Sequence, residues 1–209
     1  MDFQGRTNIL VVPKTPDGSL IIALHGGTGA PASFQSQMML VDTFVNSHIL
    51  YAAADDDNNN VWRAGGIYGD GLEDYNYLSD LIDHMIFNYP IYASQVHTLG
   101  HSNGCMMNYR LVNKKTSFKF ASVTGISGSF LAPEEFTFTG KIMHLHGTTD
   151  AIVPKNGDDK YKSVDEMMVV MEKTAQVEVG LIGGAKHNIE GIKSIYPKLN
   201  ERIKLFMGL

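Results

Sequence analysis

In "GHSNG", residues 100–104, two glycines flank a serine where the apolar run "VHTL" gives way to a segment of helical character. A serine that stands out above a strand end, before the chain turns back as a helix, needs a sharp turn strained at the serine itself. The residues two before and two after it lie too close to neighbouring backbone to carry side chains, and Gly100 and Gly104 meet that demand around Ser102. The chemistry implied is nucleophilic: Ser102 attacks a carbonyl carbon, and the backbone N–H of Asn103, at a helix N-terminus, faces the resulting oxyanion. Alone the five-residue pattern is weak, because an ordinary turn serine also produces it. The strand before it and the helix after it favour the nucleophile.

A serine nucleophile needs a base, and the base needs an orienting carboxylate. Hydrolases built on a parallel sheet supply them in the chain order Ser, then Asp or Glu, then His, on loops after later strands. "KIMHLHGTTDAIVP" leaves a strand near His146 and reaches Asp150 in a loop, with Pro154 discouraging an immediate helix. Asp150 is therefore the favoured carboxylate, and Asp158, Asp159 and Asp165 read as loop or helix-start residues. His187, in the loop after "QVEVGLIGGA", is the only histidine following Asp150 and is expected to be the base. A second oxyanion donor is expected from the glycine-rich turn in "LHGGTGAPASF": the N–H of Gly27, with the Thr28 hydroxyl as a further donor to substrate. His25 reads as a brace for that turn.

Positioning these groups takes a particular kind of scaffold. Short β-branched runs at 8–12, 20–24, 49–53, 95–99, 120–124, 141–145 and 177–182 alternate with helical stretches at 33–46, 72–88, 103–113, 164–174 and 192–207. Within 72–88, Leu78, Leu81, Ile82, Met85 and Ile86 form one apolar stripe at helical period. The alternation predicts an α/β fold, a mostly parallel sheet covered by helices on both faces. Its 209 residues suit one domain spanning 1–209. About a dozen residues separate Ser127 from Gly140, where cap domains are inserted, so no cap domain is expected.

Composition narrows the function classes. A net charge of −5 without a basic cluster argues against nucleic acid as a partner. "MDFQGRTNILVVPK" holds neither a basic leader nor an apolar run long enough for a signal or a span, so the expectation is a cytoplasmic chain without membrane association, or an exported one whose leader has been removed. Cys105, the single cysteine, excludes an internal disulfide and reads as a buried thiol rather than a rival nucleophile. His144 and His146 share one face of a strand, as two metal ligands would, yet no carboxylate joins them at close spacing in sequence; no metal and no cofactor are expected. "DDDNNN", 55–60, lacks the Gly and Glu of a calcium loop and reads as a solvated turn.

"LHGGTGAPASF", "NYPIYASQVHTLGHSNGCMMNYRL" and "HLHGTTDAIVP" resemble the α/β-hydrolase family of polyhydroxybutyrate depolymerases and feruloyl or acetylxylan esterases. That resemblance spans nearly the whole chain and is most specific over "SNGCMMNYR", 102–110. It implies a carboxylic ester hydrolase with Ser102, Asp150 and His187 as the triad, and it likens "WRAGG", 62–66, to a loop bordering the active site. Relatives that are exported often carry cysteines near that loop, and this chain has none there. Without a cap, loop 55–70 is expected to wall an open cleft in which Trp62 and Tyr68 stack on an aromatic or sugar ring, with Met107 near the mouth. The expected function is a serine esterase for short-chain, aromatic or sugar esters, the substrate being small or derived from a polymer. A thioesterase or peptidase using the same triad, or a binding module that keeps the fold without turnover, are the alternatives.

Overall fold

The run "LIIAL" at 20–24 is apolar at every position and buried throughout, and a strand without alternation must be covered on both faces. The computed structural model describes residues 1–70, 72–113, 118–131 and 135–209 and supplies that cover. A small hairpin of β1 (Asp2–Phe3) and β2 (Arg6–Thr7) opens the chain. The strands of the main sheet are β3 (Ile9–Val11), β4 (Leu20–Leu24), β5 (His48–Ala52), β6 (Val96–His101), β7 (Phe120–Ile126), β8 (Lys141–Gly147) and β9 (Gln176–Ile182). Among the described residues they form one sheet in the order β3-β5-β4-β6-β7-β8-β9, parallel except for β3 against β5.

Side chains of β4 divide by parity. Leu20, Ile22 and Leu24 enter a core shared with α2 (Glu73–Asn88), α3 (Asn103–Asn113) and α4 (Val164–Met171). Ile21 and Ala23 enter the opposite core, shared with α1 (Pro31–Met38), α5 (Ile189–Ile195) and α6 (Leu199–Met207). The expected stripe of α2 is in place: Leu78, Leu81, Ile82 and Met85 are buried in the first core, and Ile86 packs at its edge.

Strand order reverses at β4, with β5 on one side and β6 on the other. Loops leaving β4 and β6 therefore diverge and open a crevice beyond the strands' carboxyl ends, the usual place for a ligand on an open α/β sheet. Leu24 pairs with Gly100, so the glycine loop at 25–30 and Ser102 leave the sheet side by side. No helix or strand lies in the described part of 127–140, and residues 132–134 fall outside the described ones; among the described residues there is no cap domain.

Two helices depart from expectation. The stretch 33–46 is broken after Met38 because Met39 takes a left-handed φ of 50° and its N–H closes on the Gln35 carbonyl; a 3₁₀ turn, Leu40–Asp42, follows. The single helix expected over 192–207 is two, α5 and α6, because Pro197 cannot continue a helix and holds Tyr196 out of the helical region. Among the described residues no helix is long and apolar enough to cross a membrane.

Candidate active site

Ser102 sits between β6 and α3 with φ 54°, a left-handed conformation that costs a non-glycine residue about 1 kcal/mol or more. Its surroundings dictate the strain: the Ser102 N–H donates to the Ile126 carbonyl (2.8 Å) and its carbonyl accepts from the Met106 N–H (3.1 Å). A Cβ on Gly104 would run into the carbonyl oxygens of Leu24 and His25, and one on Gly100 into the Gly104 carbonyl and the Asn108 amide. The elbow is pressed onto β4 with no room for side chains at either flank.

His187 reaches Ser102 from the loop after β9, its Nε2 2.9 Å from Oγ and its Nδ1 2.8 Å from Oδ2 of Asp150. An ionised carboxylate can only accept, so Nδ1 carries the proton and the Nε2 lone pair accepts from the serine hydroxyl. The Asp150 side chain is fully buried, and its Oδ1 accepts the N–H groups of Ile152 and Val153, each at 2.9 Å. Burial opposes its charge, but the His187 hydrogen bond and those two amides outweigh it and hold the carboxyl below the usual carboxylate range. Asp158 instead accepts the N–H groups of Lys160 and Tyr161 in its own loop, and Asp165 lies in the first turn of α4.

Gly26 and Gly27 lie against this elbow. A Cβ on Gly26 would touch the Ser102 side chain at 3.4 Å, and one on Gly27 would meet Asn103 Cβ at 3.5 Å. The backbone N–H groups of Gly27 and Asn103 bond to no described residue, so two unspent donors stand beside Ser102. His25 braces the loop: Nδ1–H donates to the Gly26 carbonyl (2.8 Å), and Nε2 accepts the Ala54 N–H (3.3 Å). Burial lowers its pKa more than the Gly26 bond raises it, which keeps the ring neutral for that role.

A cleft of about 210 Å³ reaches Ser102 and His187 from the side of α1, lined by the glycine loop, Ser33, Gln37 and His101. Its wall is fixed from behind. Lys193 Nζ donates to the carbonyls of Gln37 and Met38 (both 3.0 Å) and Asn200 Nδ2 to that of Met38 (2.7 Å), capping the end of α1. His101 Nε2–H donates to the His187 carbonyl (2.8 Å), and burial lowers the His101 pKa to about 4.

The model of the phospholipase/carboxylesterase family matches residues 72–189, from the N-cap of α2 to the first residue of α5. The chain belongs to that family. It is a carboxylic ester hydrolase. Among solved structures it is similar to esterase 2 of Thermogutta terrifontis (TM-score 0.75, 15% identity, covering 100% of this chain and 91% of that one). It is also similar to a Bacillus cereus carboxylesterase (TM-score 0.71, 14% identity, 95% of each chain). A third is LpqC, the poly(3-hydroxybutyrate) depolymerase of Bordetella parapertussis (TM-score 0.68, 15% identity, 93% of this chain and 83% of that one). No curated protein sequence matches it.

Within this carboxylesterase the expected ring-stacking wall is corrected. Trp62 is 0% exposed, its Nε1–H donates to the His25 carbonyl (3.0 Å), and its backbone is clamped on both sides by the Asn103 carboxamide (2.7 and 3.0 Å). The indole fills the core beneath the loop and offers substrate no face. Met107 is likewise fully buried among core side chains, not at a mouth. Tyr68 is half-buried with its hydroxyl paired to that of Tyr161 (2.9 Å), and Thr28, exposed at φ 61°, gives its N–H to the Asn60 carbonyl. Neither belongs to the cleft lining. Cys105 is buried as expected, its thiol pushed up to about 12 by burial.

Not singled out from the sequence were Ser33, Gln37 and His101 in the cleft, and the Asn103 side chain as a clamp. His101 was visible between Gly100 and Ser102, but its direction depends on the His187 loop. Arg110, also missed, donates to the carbonyls of Arg63 (3.1 Å) and Asp70 (2.9 Å) and pins loop 63–70. The "DDDNNN" tract is a capped turn, with Asp55 accepting the Asp57 N–H and pairing with Arg63 at 2.9 Å.

Proposed function

We propose that this carboxylesterase works through an acyl-enzyme formed on Ser102, with His187 as general base and acid and Asp150 as its orienting partner. The observation that carries this reading is the unbroken series Ser102 Oγ, His187 Nε2, His187 Nδ1, Asp150 Oδ2, at 2.9 and 2.8 Å, beside two unspent N–H donors. His187 takes the hydroxyl proton as Oγ bonds to the ester carbonyl carbon. The N–H groups of Gly27 and Asn103 hold the oxyanion, and the alcohol leaves with the proton from His187. Water then repeats the sequence on the acyl-serine and frees the carboxylic acid. One domain, 1–209, carries all of these groups.

The polar lining of the cleft favours short acyl groups and esters of polar alcohols. Besides Ser102 and His187, the lining among the described residues is glycine backbone, Ser33, Gln37, His25 and His101, with no aliphatic side chain to reward a hydrocarbon tail. Esterase 2 of T. terrifontis has been seen with butyrate and phosphonylated by cyclosarin, which suggests both a short acyl group and a probe. A fluorophosphonate should attach to Ser102 Oγ with loss of fluoride, and Ser102→Ala should abolish labelling and lower kcat by about 10⁴ or more. Across p-nitrophenyl esters, kcat/KM should peak at about C2 to C4 given that lining. Labelling that survives in Ser102→Ala refutes the nucleophile, and a peak at palmitate refutes the substrate class.

A further inference from the structure

We infer that His146 is a positioning residue for Asp150, held in a single tautomer by a buried hydrogen-bonded series that begins at Tyr109. This rests on the triad reading above and extends it into the core.

The turn that carries Asp150 is closed at Val153, whose N–H donates to Asp150 Oδ1 and whose carbonyl lies 2.8 Å from His146 Nε2. A carbonyl can only accept, so His146 is protonated at Nε2 and its Nδ1 is a lone pair. His144 Nε2 lies 3.0 Å from that Nδ1 and must therefore carry the proton of this bond. His144 Nδ1 is then an acceptor, and the Tyr109 hydroxyl donates to it at 2.6 Å. Cys105, fully buried, lies beside Tyr109, its sulfur and the Tyr109 hydroxyl both next to Gly125. Each group has one protonation state compatible with its neighbours, so the polarity of the series is fixed over its whole length.

Burial keeps it uncharged, taking the His144 pKa down to about 3 and lowering that of His146 against the opposing effects of Val153 and Asp150. His146 Nε2 also lies 3.5 Å from Asp150 Oδ2, so its N–H dipole faces the oxygen that holds His187. The proximity of this carboxylate was not apparent from sequence spacing, yet it makes no metal site: all four ring nitrogens of the pair already have partners. By contrast, of the buried His48 and His97, the first leaves both ring nitrogens and the second leaves Nε2 unsatisfied among the described residues. Gly125 makes the series possible, because a Cβ there would collide with the Tyr109 hydroxyl and the Cys105 sulfur.

If His146 switched tautomer, a lone pair would face the Val153 carbonyl, the turn would loosen and Asp150 would drift from Nδ1 of His187. Three variants test this: His146→Leu removes the donor, His146→Gln restores one, and Tyr109→Phe removes one oxygen remote from the triad. His146→Leu should lower kcat by about 10- to 100-fold with KM within about twofold, the range seen when the partners that orient a reacting group are lost. The acid limb of its kcat profile should move to lower pH, since a distant carboxylate stabilises the imidazolium less. His146→Gln should recover most of kcat, and Tyr109→Phe should show the same signature at about 3- to 10-fold. Normal kcat in His146→Leu overturns the inference. Should that variant not fold, normal kcat and an unmoved acid limb in Tyr109→Phe do so. Ser102→Ala is run alongside: turnover there refutes the triad, whereas an inactive Ser102→Ala with a normal His146→Leu refutes only the positioning role.

Discussion

Replacing Asp150 by Asn should be more damaging to turnover than removing the side chain altogether. The two N–H groups on Oδ1 determine this, because Ile152 and Val153 both donate there at 2.9 Å. In Asp150→Asn they can donate only to the amide oxygen, which forces the NH₂ group toward His187. A donor facing Nδ1 requires a lone pair on Nδ1, and the proton moves to Nε2, the atom that must accept from Ser102. The base is then held in the wrong tautomer, a loss of about 10⁴ in kcat. Asp150→Ala imposes no tautomer and should keep about tenfold more activity than Asp150→Asn at low temperature, where both are folded. Stability should rank the other way. Asp150→Ala strands two donors, one of them buried, at a cost of about 2–4 kcal/mol, or about 5–15 °C in Tm for a chain of this size. Asp150→Asn keeps their acceptor and should melt within about 3 °C of wild type. Initial rates on p-nitrophenyl acetate and thermal melts of the two variants suffice. An Asp150→Asn enzyme as active as Asp150→Ala would refute the argument from fixed amide orientation.

Two further outcomes follow from the same geometry. The Asp150 carboxyl is held below its usual range, so it contributes stability above the unfolded value of about 4 and loses that contribution as pH falls through the folded value. Urea midpoints of wild type and Asp150→Asn should therefore converge on going from pH 6 to pH 3, and a constant gap would contradict the assigned direction. Trp62→Phe should cost about 1–2 kcal/mol through loss of the bond to the His25 carbonyl. It should change KM equally for aromatic and aliphatic esters, and a selective rise for aromatic ones would return the indole to the cleft.

What the sequence made legible was whatever depends on local pattern and order. All seven strands of the main sheet stand where alternating apolar runs placed them, within two residues at either end. That Ser102, Asp150 and His187 come together was readable because a strained turn needs glycines at fixed offsets and because each loop follows its strand. The break at Met39 was not readable, since a methionine at positive φ is chosen by what α1 meets and not by its own preference. The β1–β2 hairpin is too short to show a period. Trp62 misled because an aromatic residue in a glycine-rich loop looks exposed, and its burial depends on Asn103 and His25, 41 and 37 residues away. Tyr109, His144 and His146 form a series only after α3 and β8 are packed, so no spacing along the chain announces it.

The capping of α1 by Lys193 and Asn200 has a consequence for the order in which the molecule is made. The wall of the cleft precedes by 155–162 residues the donors that satisfy its last carbonyls. A chain that has reached β8 holds Ser102 but neither His187 nor the residues that cap α1. If His187 is the base, ester cleavage is withheld until the loop after β9 has been made and has packed beside Ser102.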